Sequence, residues 1–293
     1  MATLAKSSRV AIGKILLATD FSSESQNALL FALSLAKRFE SKFYIIHAIA
    51  AEASITAGET WPPATEVMRR NAEESMAGLE ATEEVKSFPH EVIIRPGDPW
   101  TTMSEVIKNE NIDLVIMGTH GMGGLNKLIL GSTAEKVIRH ATCPVMTVGP
   151  HVRLLPLDRL GRILFATDFS AGSMQALAYA VSLAEEDRAE LTLLHIIEGK
   201  PASEAELVEW KRLDRERLSR LLPDDIDLAY KPDVEVEVGT PAEDIVRLSD
   251  TRNADLIVMG SHAGGTMSTH VPWTTLHHVL QHAHCPVLTV RAA

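Results

Sequence analysis

The sequence predicts an α/β protein made of two doubly wound domains, each a five-stranded parallel sheet with helices on both faces. Three observations carry this. Short runs such as Ile15-Leu16-Leu17 and Leu114-Val115-Ile116-Met117 alternate with stretches of helical spacing, the pattern of strands buried on both sides. A glycine-rich stretch, Met117 to Ser132, lies between one such run and a helix start. The whole pattern then occurs a second time.

Residues 1–13 read as a loose arm. Lys14 to Asp20 is an apolar run ending in a polar turn, and Phe21-Ser22-Ser23 supplies a cap for a helix. On that helix Leu29, Ala32, Leu33 and Ala36 share one face. Phe43 to Ala48 is a second strand, and residues 50–63 form a loop with a Trp61-Pro62-Pro63 breaker. Thr65 to about Lys86 has amphipathic spacing through Val67, Met68, Met76 and Leu79. His90 to Ile94 is a third strand, closed by Arg95-Pro96-Gly97-Asp98-Pro99. A helix over Thr101 to Asn109 carries Met103, Val106 and Ile107. Ile112 to Met117 is the fourth strand, a helix starts at Ser132, and Cys143 to Val148 is the last strand.

A stretch rich in Leu, Arg and Pro follows Gly149-Pro150 and reads as a linker up to Leu160. Arg162 to Ser170 then repeats Lys14 to Ser22 at an offset of 148, and His195 repeats His47 at the same offset. Asp255 to Gly260 repeats Asp113 to Gly118, and Cys285 to Val290 repeats Cys143 to Val148, both at an offset of 142. Matches spread over the full half-length indicate duplication into domains 1–150 and 151–293 rather than a short-period solenoid.

The 293 residues are 45% hydrophobic and 23% charged, a globular composition with enough aliphatic mass for a core. A net charge of −11 without a long Lys/Arg run disfavours nucleic acid or anionic membrane as partners. It leaves room for a small polyanion held by backbone N–H groups. No apolar stretch approaches the roughly 20 residues of a membrane helix, and the N-terminus lacks the apolar core of a signal peptide. Two cysteines, Cys143 and Cys285, give no disulfide framework. A cytoplasmic protein is expected.

In a doubly wound sheet, ligands bind beyond the C-terminal strand ends, where strand order reverses. Asp20 ends the first strand and Gly118 the fourth. If these strands are neighbours across the switch, the two residues meet in one crevice. Asp20 would accept hydrogen bonds from a ribose or base. Gly118, Gly121, Gly131 and Ser132 would surround phosphates, because glycine admits close backbone approach and a helix N-terminus favours an anion. Asp20 to Ser23 suit a plain helix-capping turn equally well. The glycine spacing is neither G-x4-G-K-[ST] nor G-x-G-x-x-G. Lys127 lies inside the loop and either reaches a phosphate or stays solvated.

In these motifs the chain resembles the universal stress protein family in its tandem, two-domain form. The resemblance rests on Ala18-Thr19-Asp20-Phe21-Ser22, Ile46-His47, the run Met117-Gly118-Thr119-His120-Gly121 followed by Gly131-Ser132-Thr133, and Cys143 to Val148. It implies Rossmann-like domains and a regulatory, stress-response binding protein for ATP, with Mg²⁺ an optional companion. By position, Ala18, Thr19, Asp20 and Ala48 would line the adenosine end. Met117, Gly118, His120, Gly121, Gly131, Ser132 and Thr133 would line the phosphates. The resemblance also implies that the final strands pair as edges across an internal pseudo-twofold, and that two chains associate as a homodimer.

The second half keeps Ala166-Thr167-Asp168 and Gly260, but Ala263 stands at the place of Gly121 and Trp273 at that of Gly131. A tryptophan obstructs a position that needs close backbone approach, so one nucleotide per chain, in the N-terminal domain, is expected. Gly264-Gly265 leaves a rebuilt cradle open. Six of the twelve histidines fall between 262 and 284. His278 and His282, four apart, suit a metal, yet only Cys285 is at hand to complete a ligand set. Polar surface explains them as simply, so no metal is assigned, and a pH-sensitive surface stays open. No nucleophile, base or metal triad stands out, so no catalytic residue is assigned. The alternatives to a binding protein are a slow ATPase or phosphotransferase, with Asp20 placing Mg²⁺ or water, and a partner- or metal-binding protein using the histidines.

Overall fold

Each apolar run of the sequence becomes a strand of the computed structural model, and each strand but the last in its half leads into a helix, so neighbouring strands run parallel. The structure describes residues 10–49, 62–119, 130–153, 159–222, 226–261 and 273–292, with 62–65 and Trp273 described by backbone only. The chain divides into two compact units, one mainly 11–148 and the other mainly 149–293.

The first unit contains β1 (Lys14–Ala18), α1 (Ser23–Arg38), β2 (Lys42–Ile49), α2 (Pro62–Glu80), α3 (Glu83–Lys86), β3 (His90–Pro96), α4 (Pro99–Glu110), β4 (Leu114–Gly118), α5 (Ser132–His140) and β5 (Val145–Val148). Its strand order is β3-β2-β1-β4-β5. The second unit contains β6 (Arg162–Ala166), α6 (Ala171–Asp187), β7 (Glu190–Ile197), α7 (Glu204–Ser219), β8 (Asp233–Val238), α8 (Pro241–Thr251), β9 (Leu256–Ser261), α9 (Trp273–His282) and β10 (Val287–Arg291). Its order, β8-β7-β6-β9-β10, is the same topology again.

The central strands are buried on both faces. Every residue of β4 and of β9 is buried, as are Ile15, Leu16 and Leu17 of β1. Such strands form only where helices cover both sides of the sheet. The covering helices begin where short polar side chains stop them. Ser22 accepts a hydrogen bond from Ser25 N–H at α1, Asp98 from Thr101 N–H at α4, and Ser170 from Ser173 N–H at α6.

The predicted long helix from Thr65 to Lys86 is two helices. Thr82 opens α3 as its N-cap residue, ending the continuous run. Ala72, Met76 and Leu79 form the buried face of α2, whereas Val67 and Met68 are 55% and 42% exposed. One turn before Ala72 the helix has left the sheet, so periodicity alone over-extended its apolar stripe.

Gly118 ends β4 under the first turn of α1. A Cβ there would stand 3.2 Å from Glu24 C and from Ser25 N. Gly260 ends up tighter still, since its Cβ would lie 2.3 Å from Ser173 N and 2.4 Å from Gly172 C. The missing side chain at both positions is therefore filled by helix backbone. Overpacking a site that cannot yield costs about 1–3 kcal/mol or more. Gly260→Ala should destabilise its unit at or above the top of that range, and Gly118→Ala by clearly less. Urea unfolding followed separately in the two units would measure both; equal costs would mean the two helix contacts are equally compliant.

Candidate functional site

In each unit the strand order reverses between the first strand and its neighbour on the other side, β1 and β4 in one case and β6 and β9 in the other. Ala18 pairs with Met117 across that line. Thr19-Asp20 and Gly118-Thr119 thus leave the sheet side by side, as the sequence argument required for a shared crevice.

The turn after β1 is closely specified. Thr19 N–H donates to Ile46 O at 3.0 Å, fixing the turn to β2. Thr19 Oγ1 accepts from Phe21 N–H, and Asp20 Oδ1 accepts from the N–H and hydroxyl of Ser22. Phe21 sits at φ 65°, left-handed backbone that a bulky residue rarely adopts. Its ring packs on His47 with centroids 4.6 Å apart. His47 Nδ1 lies 2.9 Å from Thr19 O. A carbonyl only accepts, so Nδ1 carries the proton and Nε2 is the free acceptor of the neutral ring. Asp20 is thus both a turn-former and a half-buried carboxylate at the switch point.

The far wall is the entry to α5. Thr119 N–H donates to Val148 O, and Gly131 N–H donates to Thr119 O at 2.8 Å. That last bond ties together the two ends of the glycine-rich stretch. Gly131 is the N-cap of α5 and gives it no side-chain cap, in contrast to Ser22, Asp98 and Ser170. The N–H groups of a helix start carry a partial positive charge. Ala18, Asp20 and Ala48 are half-buried, Met117 and Gly118 form the buried floor, and Ser132 is exposed at the helix start. His120, Gly121 and Lys127 lie outside the described residues.

The second unit reproduces the turn. Thr167 Oγ1 accepts from Phe169 N–H, and Asp168 Oδ1 accepts from Ser170 N–H. Phe169 sits at φ 62°, its ring 4.5 Å from that of His195, whose Nδ1 lies 2.8 Å from Thr167 O. Here the structure defines a crevice of about 270 Å³, with Asp168, Phe169, His195 and Met259 in its lining. Two residues that the sequence reading missed also line it. Arg217 of α7 lies over the Phe169 ring at 3.7 Å from its centroid, a cation–π contact. Asp214 sits 3.8 Å from His195 Nε2. Their helix reads as a charged surface segment, and only the stagger of Asp214 and Arg217 by three residues hints at a shared face. Ala263 to Gly265 fall outside the described residues, while Trp273 opens α9.

These features define a class: a duplicated, doubly wound α/β module with the same polar turn at the switch point of each copy. Comparison with known proteins narrows it. The universal stress protein family matches residues 11–149 and again 160–291, and the chain belongs to that family. A universal stress protein of Mycolicibacterium smegmatis is 26% identical over 290 residues, covering 94% of this chain and 96% of its own. One from Methanocaldococcus jannaschii is 30% identical over 137 residues, 46% of this chain and 81% of its own. The crystal structure of a universal stress protein from Archaeoglobus fulgidus superposes with a TM-score of 0.72 at 24% identity, over 96% of both chains. That likeness bears on the fold.

Cys143 and Cys285 stand before β5 and β10, at the opposite strand ends from the crevices. Burial pushes both thiols up to about 12. Both should stay unmodified by a thiolate-trapping disulfide reagent at mildly alkaline pH in the native protein and react together on unfolding. Rapid native labelling of either would show that its thiol reaches solvent.

Proposed function

We propose that the chain is an adenine-nucleotide-binding universal stress protein that holds one ATP in its N-terminal crevice and acts as a regulatory binding protein. The observation that supports this most is the uncapped start of α5, held by the bond from Gly131 N–H to Thr119 O at the same switch point as the Asp20 carboxylate. An anion placed there meets backbone N–H groups and the positive end of the helix. A carboxylate across the crevice accepts from vicinal hydroxyls. The pairing suits a ligand with a ribose at one end and phosphates at the other.

In this reading Ala18, Thr19, Asp20 and Ala48 face the nucleoside, and Met117 and Gly118 belong to the phosphate end. Gly131, Ser132 and Thr133 face the phosphates together with His120 and Gly121. Mg²⁺, where it accompanies the nucleotide, would be held by phosphate oxygens and would spread their charge. Trp273 at the place of Gly131 makes the second unit the one that does not hold phosphates. A cytoplasmic location and a homodimer belong to the same reading.

The test is stoichiometry. Native mass spectrometry or calorimetry with ATP and Mg²⁺ should give one nucleotide per chain. None would sink the proposal, and two would sink the asymmetry. Gly131→Trp should abolish binding without lowering the unfolding midpoint. Asp20→Asn should weaken it roughly tenfold or more, the weight of a hydrogen bond to a charged acceptor. Gly118 variants are poor probes, because α1 packs on that residue.

A further inference from the structure

We propose that the histidine-lined cleft between α8 and α9 is an acid-sensing joint. As pH falls, His278 gains charge in a cleft that already holds the Arg247 cation of α8, which pushes the two helices apart and loosens the wall that α8 gives to the second unit's crevice.

The cleft measures about 370 Å³ and is lined by His151, Glu243, Arg247, His278, His282 and His284. His278 and His282 stack on each other with centroids 4.1 Å apart and planes 24° apart. His282 Nδ1 lies 2.9 Å from the His278 carbonyl. That nitrogen therefore carries the proton of the neutral ring. His284 Nδ1 sits 2.8 Å from both oxygens of Asp250, and its ring is 5.9 Å from His151. No group of three His, Cys, Asp or Glu able to hold a metal occurs among the described residues.

The charges around the stacked pair do not cancel the added protons. On α8, Arg247 is already cationic and bound to Asp244 at 2.7 Å. Asp250 is held by His284, which leaves Glu243 as the carboxylate facing the pair. On α9, His277 adds a further imidazole beside His278. The segment before β6 brings His151 and Arg153, the latter bonded by its N–H to His284 O. The strand β9 beneath α9 carries no ionisable group.

Burial, with His282 and His277 beside it, holds His278 below the ordinary histidine value of 6.5, and Glu243 opposes this. The folded protein therefore takes that proton less readily than the unfolded chain. The stability of the joint is complete at neutral pH and falls as pH drops through the ordinary histidine value towards the folded one. Two faces of α8 then matter at once. Glu243 and Arg247 line the cleft, while Pro241 and Ile245 line the crevice.

The first unit lacks the device. Its corresponding positions hold Lys136 and His140 in place of His278 and His282, and Lys136 pairs with Asp98 at 3.3 Å.

Hydrogen exchange on the full chain at about pH 7.5 and about pH 5.5, corrected for intrinsic rates, tests the joint. Protection in α8 and α9 should fall roughly tenfold on acidification while α4 and α5 hold theirs. His278→Gln should keep its protection at the lower pH. Equal loss in both units, no loss, or the same loss in His278→Gln would overturn the proposal. Should that variant not fold, titration of the wild-type histidine ring protons decides it. His278 titrating below a free histidine supports the joint, and His278 titrating at or above one overturns it.

Discussion

The contact on which each crevice depends is a helix turn laid directly on a bare Cα. At Gly260 the first turn of α6 comes within a distance that no side chain would allow, and at Gly118 the first turn of α1 comes close enough that a side chain would have to displace it. That closeness drops the polar turn onto the switch point. It brings Thr19 Oγ1 within 3.0 Å of Ser25 Oγ and lets one carboxylate oxygen serve both the N–H and hydroxyl of Ser22. Raise the helix by the width of a methyl group and the carboxylate leaves the strand ends. A residue that looks like part of a ligand loop is first a packing device, and the ligand geometry follows from the packing.

Much of this was legible because the relevant physics is local. The run from Lys14 to Ser22 announces a strand, a reversal and a cap by residue type alone, and its recurrence at Arg162 shows the duplication. Adjacency of β1 and β4 was a condition of the crevice reading, and the pairing of Ala18 with Met117 meets it. What stayed hidden was long-range. Asp214 and Arg217 reach the second crevice because α7 crosses its mouth, and nothing within a charged helix says which neighbour it will meet. Val67 and Met68 carry the right spacing for a core face yet lie beyond the edge of what the sheet can cover. Among the histidines, spacing paired His278 with His282. It could not bring in His151, more than a hundred residues away in sequence.

The two units share a backbone plan and differ in what they place on it. The first starts α5 at a glycine, Gly131, where the second starts α9 at a tryptophan, Trp273. The second braces its crevice with an arginine on an aromatic ring and a carboxylate near an imidazole, and puts the His278 imidazole where the first has Lys136. Duplication freed one copy to change chemistry while the sheet, held by strands buried on both faces, kept its shape.

Phe21 and Phe169 draw these threads together. Each holds a left-handed backbone that costs on the order of 1–2 kcal/mol, and each lays its ring on a histidine. The strain occurs twice with nearly the same geometry, so the protein carries its own reference. Heat, salt or crowding that acts on this turn acts on both copies alike. Whatever response differs between them must arise from the side chains that the copies do not share, and the chain can be read as a differential instrument.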